Sequence, residues 1–104
     1  ELAVVSDFFS IGSNDLVQYS LAVDRTDDNV SYLYDVHHPA VVSLITLAVK
    51  AAHKHQIHIT VCGELAANPM WLQKFLDLKI TSLSMSARHV LPLRKQLHQM
   101  RALS

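Results

Sequence analysis

The alternation of hydrophobic and polar residues predicts three strands, each followed by helical sequence. Three short runs that alternate in polarity, or are rich in β-branched or aromatic residues, are interpreted as strands at 8–11, 57–61 and 82–85. Repeated strand–helix units predict a parallel sheet, because a right-handed helical crossover returns the chain to the same end of the sheet. The fold class is therefore predicted to be α/β, with the three strands adjacent in chain order.

The first two helices are indicated by apolar spacing and by a proline. A short helix is predicted over 15–21, and a long one begins after His38, where Pro39 suits the first helical position. The second helix is predicted to bury one wide apolar stripe: Val41, Leu44, Ile45, Leu47, Ala48, Ala51 and Ala52.

Two further helices are predicted in the last third of the chain. Asn68 is expected to cap a third helix that starts at Pro69. A fourth helix is expected after Ser86, with Pro92 tolerated only near its first turn. Its inward-facing residues are predicted to be Leu93, Leu97, Met100 and Leu103.

Three parallel strands would have two open edges and an uncovered face, which favours a piece of a larger fold. We interpret the chain as the C-terminal part, about three β/α units, of a TIM (β/α)₈ barrel, which needs about 250 residues. On this interpretation residues 1–104 are a fragment of a single domain, cut from a longer enzyme.

Composition excludes several classes of partner. The chain is 50% hydrophobic, and its nine Lys and Arg residues balance nine Asp and Glu residues, so neither nucleic acid nor an anionic membrane is expected as a partner. No apolar run approaches the ~20 residues that span a bilayer, so membrane insertion is not expected. The single cysteine favours a reducing, cytoplasmic compartment.

Polar residues collect immediately after each predicted strand, at 12–15, 62–64 and 84–86. Both glycines and the only cysteine lie in these segments. Because active sites of (β/α)₈ barrels are built at the C-terminal ends of strands, the sequence predicts one site there. Asn14, Cys62 and Ser86 are expected to share that edge.

Each candidate also has a structural interpretation. Ser13 or Asn14 could be the N-cap of the short helix, with Asp15 favourable in its first turn. Cys62 could be a buried structural thiol, and Arg25 could belong to a solvated charge cluster with Asp24, Asp27 and Asp28.

A zinc site built from the seven histidines is disfavoured. His53 and His55 are two residues apart on a predicted helix and point in different directions, and His58 belongs to the next strand.

Whole motifs add a family resemblance. Residues 7–25, which read DFFSIGSNDLVQYSLAVDR, closely resemble the signature of the phosphoenolpyruvate-utilising enzymes. Within them, the ending QYxLAVDR resembles enzyme I of the bacterial sugar phosphotransferase system. Further blocks follow in the same order, so that the resemblance covers about 7–92: LYD at 33–35, HPA at 38–40, VCGELA at 61–66 and LSMS at 83–86.

The resemblance implies a phosphoenolpyruvate–protein phosphotransferase. Such an enzyme passes the phosphoryl group of phosphoenolpyruvate to its own histidine and then to the carrier HPr, leaving pyruvate. The match implies that Asp15 binds substrate and is a ligand of the Mg²⁺ cofactor, that Asn14 and Arg25 bind substrate, and that Cys62 donates a proton to the enolate carbon. It also implies a homodimer for the full-length protein.

Departures from the family pattern leave other interpretations open. The family's second metal-binding carboxylate, further arginines and phosphohistidine are not among these residues, so residues 1–104 alone are predicted to be inactive. The family's Gly-rich turn is replaced by LDLKI at 76–80, which puts that turn in doubt. The alternatives are a relative of pyruvate phosphate dikinase or phosphoenolpyruvate synthase, and a non-catalytic remnant of the fold.

Overall fold

The computed structural model describes residues 1–103 and shows strands and helices in alternation. The strands are β1 (Phe8–Gly12), β2 (His58–Cys62) and β3 (Ser82–Leu83). The helices are α1 (Leu2–Val5), α2 (Ser13–Leu21), α3 (Pro39–Lys54), α4 (Leu72–Asp77) and α5 (Ala87–Leu103). The sequence did not predict α1 or the two 3₁₀ turns at Ser31–Leu33 and Glu64–Ala67.

The three strands form one parallel sheet in the order β1-β2-β3, which confirms the α/β prediction and the strand order. Phe8 pairs with His58 and the register continues to Gly12 opposite Cys62. β2 begins one residue later than predicted, and β3 ends at Leu83 rather than at residue 85. The β3 pairing with β2 covers only two residue pairs, which makes this side of the sheet the shorter one.

One face of the sheet is packed and the other is open. Ile11, Ile59 and Val61 are buried in the hydrophobic core with the helices. The alternate residues of the same strands, such as Ser10 and Thr60, point to the opposite face and are exposed or half-buried. A parallel sheet with one uncovered face agrees with a partial set of β/α units.

The packed face of α3 is narrower than the sequence suggests. Buried residues recur every three or four positions, as expected for one helix face: Val41, Ile45, Val49 and Ala52. Leu44 is 41% exposed and Leu47 is 67% exposed, so the prediction that both belong to the buried stripe is wrong. Both side chains lie beside the row of buried residues that contacts the sheet, because α3 packs against the sheet on one side only.

The starts of the helices correct several predictions. Helix α2 begins at Ser13 after Gly12, and no side chain caps its N-terminus, so the N-cap interpretation of Ser13 and Asn14 is wrong. Helix α3 begins at Pro39 as predicted, and the His38 Nδ1 atom accepts a hydrogen bond from the Ala40 N–H at 3.1 Å.

Helix α4 begins at Leu72 and not at Pro69. The side chain of Asn68 instead closes a turn, accepting a hydrogen bond from the Met70 N–H at 2.9 Å. The Trp71 N–H also donates to the Asn68 carbonyl at 3.0 Å, so residues 68–71 form a turn that precedes the helix.

Helix α5 contains Pro92 in its second turn rather than near its first, so the carbonyl of Arg88 loses its helical partner. Leu93 is buried, and Leu97 and Met100 are half-buried. The side chain of Leu103 lies outside the described residues. No helix in residues 1–103 is long and apolar enough to cross a membrane.

Three helix ends close with a non-glycine residue in the left-handed region. These residues are Ala22, Gln56 and Lys79, with φ of 53°, 56° and 60°. In each case the following N–H reaches back to the last helical turn, from Val23 to Gln18, Ile57 to Ala52 and Ile80 to Phe75, at 2.9–3.0 Å. The turn at 76–80 is therefore made without the family's glycines, at about 1–2 kcal/mol of backbone strain for Lys79.

Candidate functional site

The exits of β1 and β2 are joined by hydrogen bonds between their side chains and backbones. The Ser13 Oγ atom donates to the Cys62 carbonyl at 2.6 Å. The Glu64 N–H donates to the Asn14 Oδ1 atom at 3.1 Å. Ser13 and Asn14 thus connect two neighbouring strand ends instead of capping their own helix. We call this set of contacts, formed by residues 13–14 and 62–64, the exit clasp.

Gly63 is required by the exit clasp for two independent reasons. Its backbone has φ of 89° and ψ of −171°, a region that is essentially restricted to glycine. A Cβ atom there would lie 2.6 Å from the Ser13 Oγ atom and 3.1 Å from the Asn14 Oδ1 atom. Gly12, by contrast, has φ of −76°, and a Cβ atom on it would meet no other part of the chain within 4 Å, so the fold does not require glycine there.

Cys62 is the last residue of β2 and is half-buried. Its Sγ atom donates a hydrogen bond to the Ile11 carbonyl at 3.4 Å and lies 3.9 Å from the Ser10 Oγ atom. Because Cys62 also lines an open cleft, its thiol is not sealed in the core as the structural interpretation would require. A protonated thiol in such a position has the access that a general acid needs.

The cleft brings together the three predicted edge residues, Asn14, Cys62 and Ser86. This confirms the prediction that the three strand exits share one edge. The backbone of Ser84 adds a link from β3, because its N–H donates to the Val61 carbonyl at 2.9 Å. Other residues that line the cleft include Glu64, Asn68, Met70, Met85, Arg88 and His89.

Asp15 and Arg25 lie outside this cleft. Asp15 is exposed in a neighbouring groove lined also by Ser10 and Tyr19. Within the described part of the chain its carboxylate makes no hydrogen bond, so its oxygen atoms are available to a ligand.

Arg25 is exposed in the loop after α2, and its backbone N–H donates to the Gln18 Oε1 atom at 3.3 Å. Two hydrogen bonds from Thr26 lower the pKa of Asp24 below its usual value, and the positive charge of Arg25 adds a smaller effect in the same direction. Arg25 is thus exposed close to Asp24, and the structure shows an electrostatic effect between these two members of the charge cluster that the structural interpretation proposed.

Among residues 1–103 no cluster of three or more His, Cys, Asp or Glu side chains could hold a metal ion. Magnesium commonly takes only one or two protein carboxylates, with water and substrate oxygens completing its shell. A free carboxylate at Asp15 fits one such ligand. The described residues can therefore supply one ligand of a Mg²⁺ site, but they do not form a complete metal centre.

Sequence reasoning missed the contacts that anchor the loop after α2. The Tyr34 hydroxyl donates to the Asn14 carbonyl at 3.4 Å. His37 stacks on Trp71, with ring centroids 6.0 Å apart, and the Lys74 Nζ atom lies 4.6 Å from the Trp71 ring centroid on its face. Trp71 is fully buried, and its Nε1 atom has no hydrogen-bond partner among the described residues. The only sequence signal was the presence of a single tryptophan, which does not reveal its partners.

Comparison with known proteins identifies relatives of this chain. The chain is 46% identical over 94 residues to a phosphoenolpyruvate-protein phosphotransferase of Bacillus subtilis, covering 90% of the chain. It is 47% identical to the protein of that name from Mycoplasma capricolum over 94 residues, and 41% identical to the one from Staphylococcus aureus over 92 residues. These matches span only 16% of the length of each relative.

A family model described as "PEP-utilising enzyme, PEP-binding domain" matches residues 1–102, which is nearly the whole chain. The resemblance read from the motifs is confirmed by this match and by the named relatives. The chain belongs to the phosphoenolpyruvate-utilising enzyme family, in its phosphoenolpyruvate-binding domain.

Proposed function

We propose that this chain forms part of the active site of a phosphoenolpyruvate–protein phosphotransferase, in the last part of a (β/α)₈ barrel. The observation that carries the proposal is the cleft shared by Cys62 and Asn14, held by the exit clasp. The one-sided parallel sheet supports the barrel, because the face of the strands that is opposite the helices would then point into the barrel interior. The named relatives support the activity.

Cys62 is the proton donor in this proposal. Departure of the phosphoryl group leaves the enolate of pyruvate, whose terminal carbon must gain a proton. The Cys62 S–H bond breaks, a C–H bond forms at that carbon, and a thiolate remains. A thiol can act as a general acid, because breaking its S–H bond releases a proton and leaves a thiolate.

Asn14 and Arg25 bind substrate oxygens in this proposal. The Asn14 Oδ1 atom is already occupied by the Glu64 N–H, which fixes the amide and leaves its NH₂ group as the donor. Arg25 carries a planar guanidinium suited to a phosphate or a carboxylate. Since Arg25 lies outside the cleft in the described structure, we infer that its loop moves toward the substrate on binding.

Asp15 is proposed as one Mg²⁺ ligand and as a contact to substrate through the ion. Magnesium would neutralise the charge that develops on phosphoryl oxygens. The contribution of this chain is to hold the Asp15 carboxylate one residue from Asn14, in the first turn of α2. A second carboxylate must then come from other residues of the enzyme.

The proposal extends to the whole protein. The phosphoryl group would pass to a histidine elsewhere in the enzyme and then to HPr, in the sugar phosphotransferase system. The enzyme would be a cytoplasmic homodimer. The exit clasp supports only the phosphoenolpyruvate step, so these further features rest on the motif resemblance.

The test uses the protein expressed from its own gene. It would be incubated with Mg²⁺ and phosphoenolpyruvate carrying a labelled phosphoryl group, and both pyruvate and acid-labile phosphoprotein would be measured. We expect both products, loss of both in Asp15→Asn, and slowed pyruvate formation in Cys62→Ala. Failure of the unaltered, folded protein to form either product would rule the proposal out.

A further inference from the structure

Two basic residues line the cleft together with Cys62, and neither of them is the arginine that the motif singles out. Phosphoenolpyruvate carries a phosphate and a carboxylate, so a site for it needs several positive charges. Arg25 is outside the cleft, whereas Arg88 and His89 line it together with Asn14 and Cys62. These two basic residues stand at the start of α5, directly after the strand exit that ends at Ser86.

The local contacts leave Arg88 able to bind an anion. Its Nε atom donates to the His89 Nε2 atom at 3.2 Å, which fixes the plane of the guanidinium. Within residues 1–103 the two Nη groups make no further hydrogen bond, and the side chain is exposed to the cleft. His89 is half-buried and its backbone N–H donates to the Ser86 carbonyl at 2.9 Å, so the pair is attached to the strand exit.

We propose that Arg88 is a further substrate-binding residue, whose guanidinium holds an oxyanion of phosphoenolpyruvate in the cleft, with His89 as its positioning residue. This inference rests on the proposed function. A guanidinium offers two parallel N–H donors to a carboxylate or a phosphate, which a point charge cannot do.

The experiment measures steady-state pyruvate formation by the protein expressed from its own gene, in Arg88→Met and Arg88→Lys variants. Loss of a charge-assisted pair should raise KM for phosphoenolpyruvate about 10- to 100-fold in Arg88→Met, with a smaller change in kcat. Arg88→Lys should recover only part of the affinity, because it keeps the charge and loses the fork. Arg94→Met, on the same helix but outside the cleft, should leave KM within about twofold.

Two product-like inhibitors identify which oxyanion Arg88 binds. Inorganic phosphate mimics one group and pyruvate the other, so Arg88→Met should weaken inhibition by one of them and leave the other unchanged. His89→Gln, which keeps a hydrogen-bond acceptor, should raise KM less than His89→Ala does if His89 acts by positioning Arg88. Equal effects of these two variants would remove that role.

The experiment distinguishes a failure of the Arg88 inference from a failure of the proposed function. If the unaltered protein forms pyruvate and Arg88→Met keeps KM within about twofold, the Arg88 inference is overturned and the proposed function stands. If the unaltered protein forms no product, both are overturned. Unfolding curves that match between Arg88→Met and the unaltered protein would exclude a structural cause for a raised KM.

Discussion

The two faces of the sheet have opposite environments although they are built from adjacent residues of the same strands. Val61 is fully buried among the helices, and Cys62, the next residue, opens into the cleft. Ile11 is buried, and its neighbour Ser10 lies on the open face near the thiol. The packed face holds the fold, and the open face and its strand ends carry the groups able to do chemistry.

This division explains why the open face can be polar without destabilising the fold. Thr60 and Ser82 pair through their hydroxyl groups at 3.0 Å, and Thr60 also donates to the Ser82 carbonyl at 3.1 Å. Their polar groups are thus satisfied within the sheet and bury no unpaired donor. Substitutions on the open face are therefore expected to lower turnover, and substitutions on the packed face are expected to lower stability.

The largest expected effect comes from the open face. Cys62→Ala in the protein expressed from its own gene should slow pyruvate formation about 10²- to 10⁴-fold, as expected for loss of a general acid. The free energy of unfolding should change by less than about 1 kcal/mol, because the thiol is small and half-buried. Turnover assays and urea unfolding measure the two quantities. Unchanged turnover in a folded variant would show that Cys62 is a structural thiol and not the proton donor.

The second prediction concerns the exit clasp. Gly63→Ala should lower the free energy of unfolding by about 3 kcal/mol, from a glycine-only backbone conformation and from the approach of Cβ to Ser13. The matched control is Gly12→Ala, which has open space at ordinary φ and should change stability by less than about 0.5 kcal/mol. Equal effects of the two substitutions in urea unfolding would contradict the clasp.

The third prediction is the packed-face counterpart of Cys62→Ala. Val61→Ala deletes fully buried methyl groups and should lower the free energy of unfolding by about 2 kcal/mol. Leu47→Ala removes more atoms from a side chain that is 67% exposed and should change stability by less than about 0.5 kcal/mol. A larger effect for Leu47→Ala than for Val61→Ala would support the wide buried stripe of α3 that the sequence predicted.

The smallest expected effect is a gain in stability at a turn residue that lies on neither face of the sheet. Lys79→Gly should raise the free energy of unfolding by about 0.5–1 kcal/mol, because glycine relieves the left-handed strain at φ of 60° and loses part of that gain in chain entropy. Lys79→Ala should leave stability within a few tenths of a kcal/mol, because alanine keeps the strain. Thermal unfolding of the two variants would show whether strain at this turn is real.

The sequence correctly predicted the features that follow from the spacing of apolar residues and from the order of strands and helices along the chain. Strand–helix alternation predicted the parallel order, and His38-Pro39 marked the start of α3 correctly. The strand exits predicted that Asn14 and Cys62 share an edge. These features depend on local pattern and on the chirality of crossovers, which sequence encodes directly.

Other features depend on tertiary contacts that no local pattern records. Asn14 looked like a helix cap, but its amide is used by Glu64, a residue from the next strand exit. Leu44 looked like a core residue, but the helix meets only one layer. The turn at 76–80 was in doubt because LDLKI replaces the family's Gly-rich turn, yet hydrogen bonds to the preceding turn of α4 hold it.

The stack of His37 on Trp71 gives the molecule an optical reporter of its own loop. Trp71 is the only tryptophan among residues 1–104. The indole is fully buried, with His37 on the ring and Lys74 over it. Release of the loop that also carries Arg25 would hydrate this ring, shifting its emission to longer wavelength and opening it to soluble quenchers. The loop movement that we propose for Arg25 would therefore change the emission of Trp71, without any attached dye.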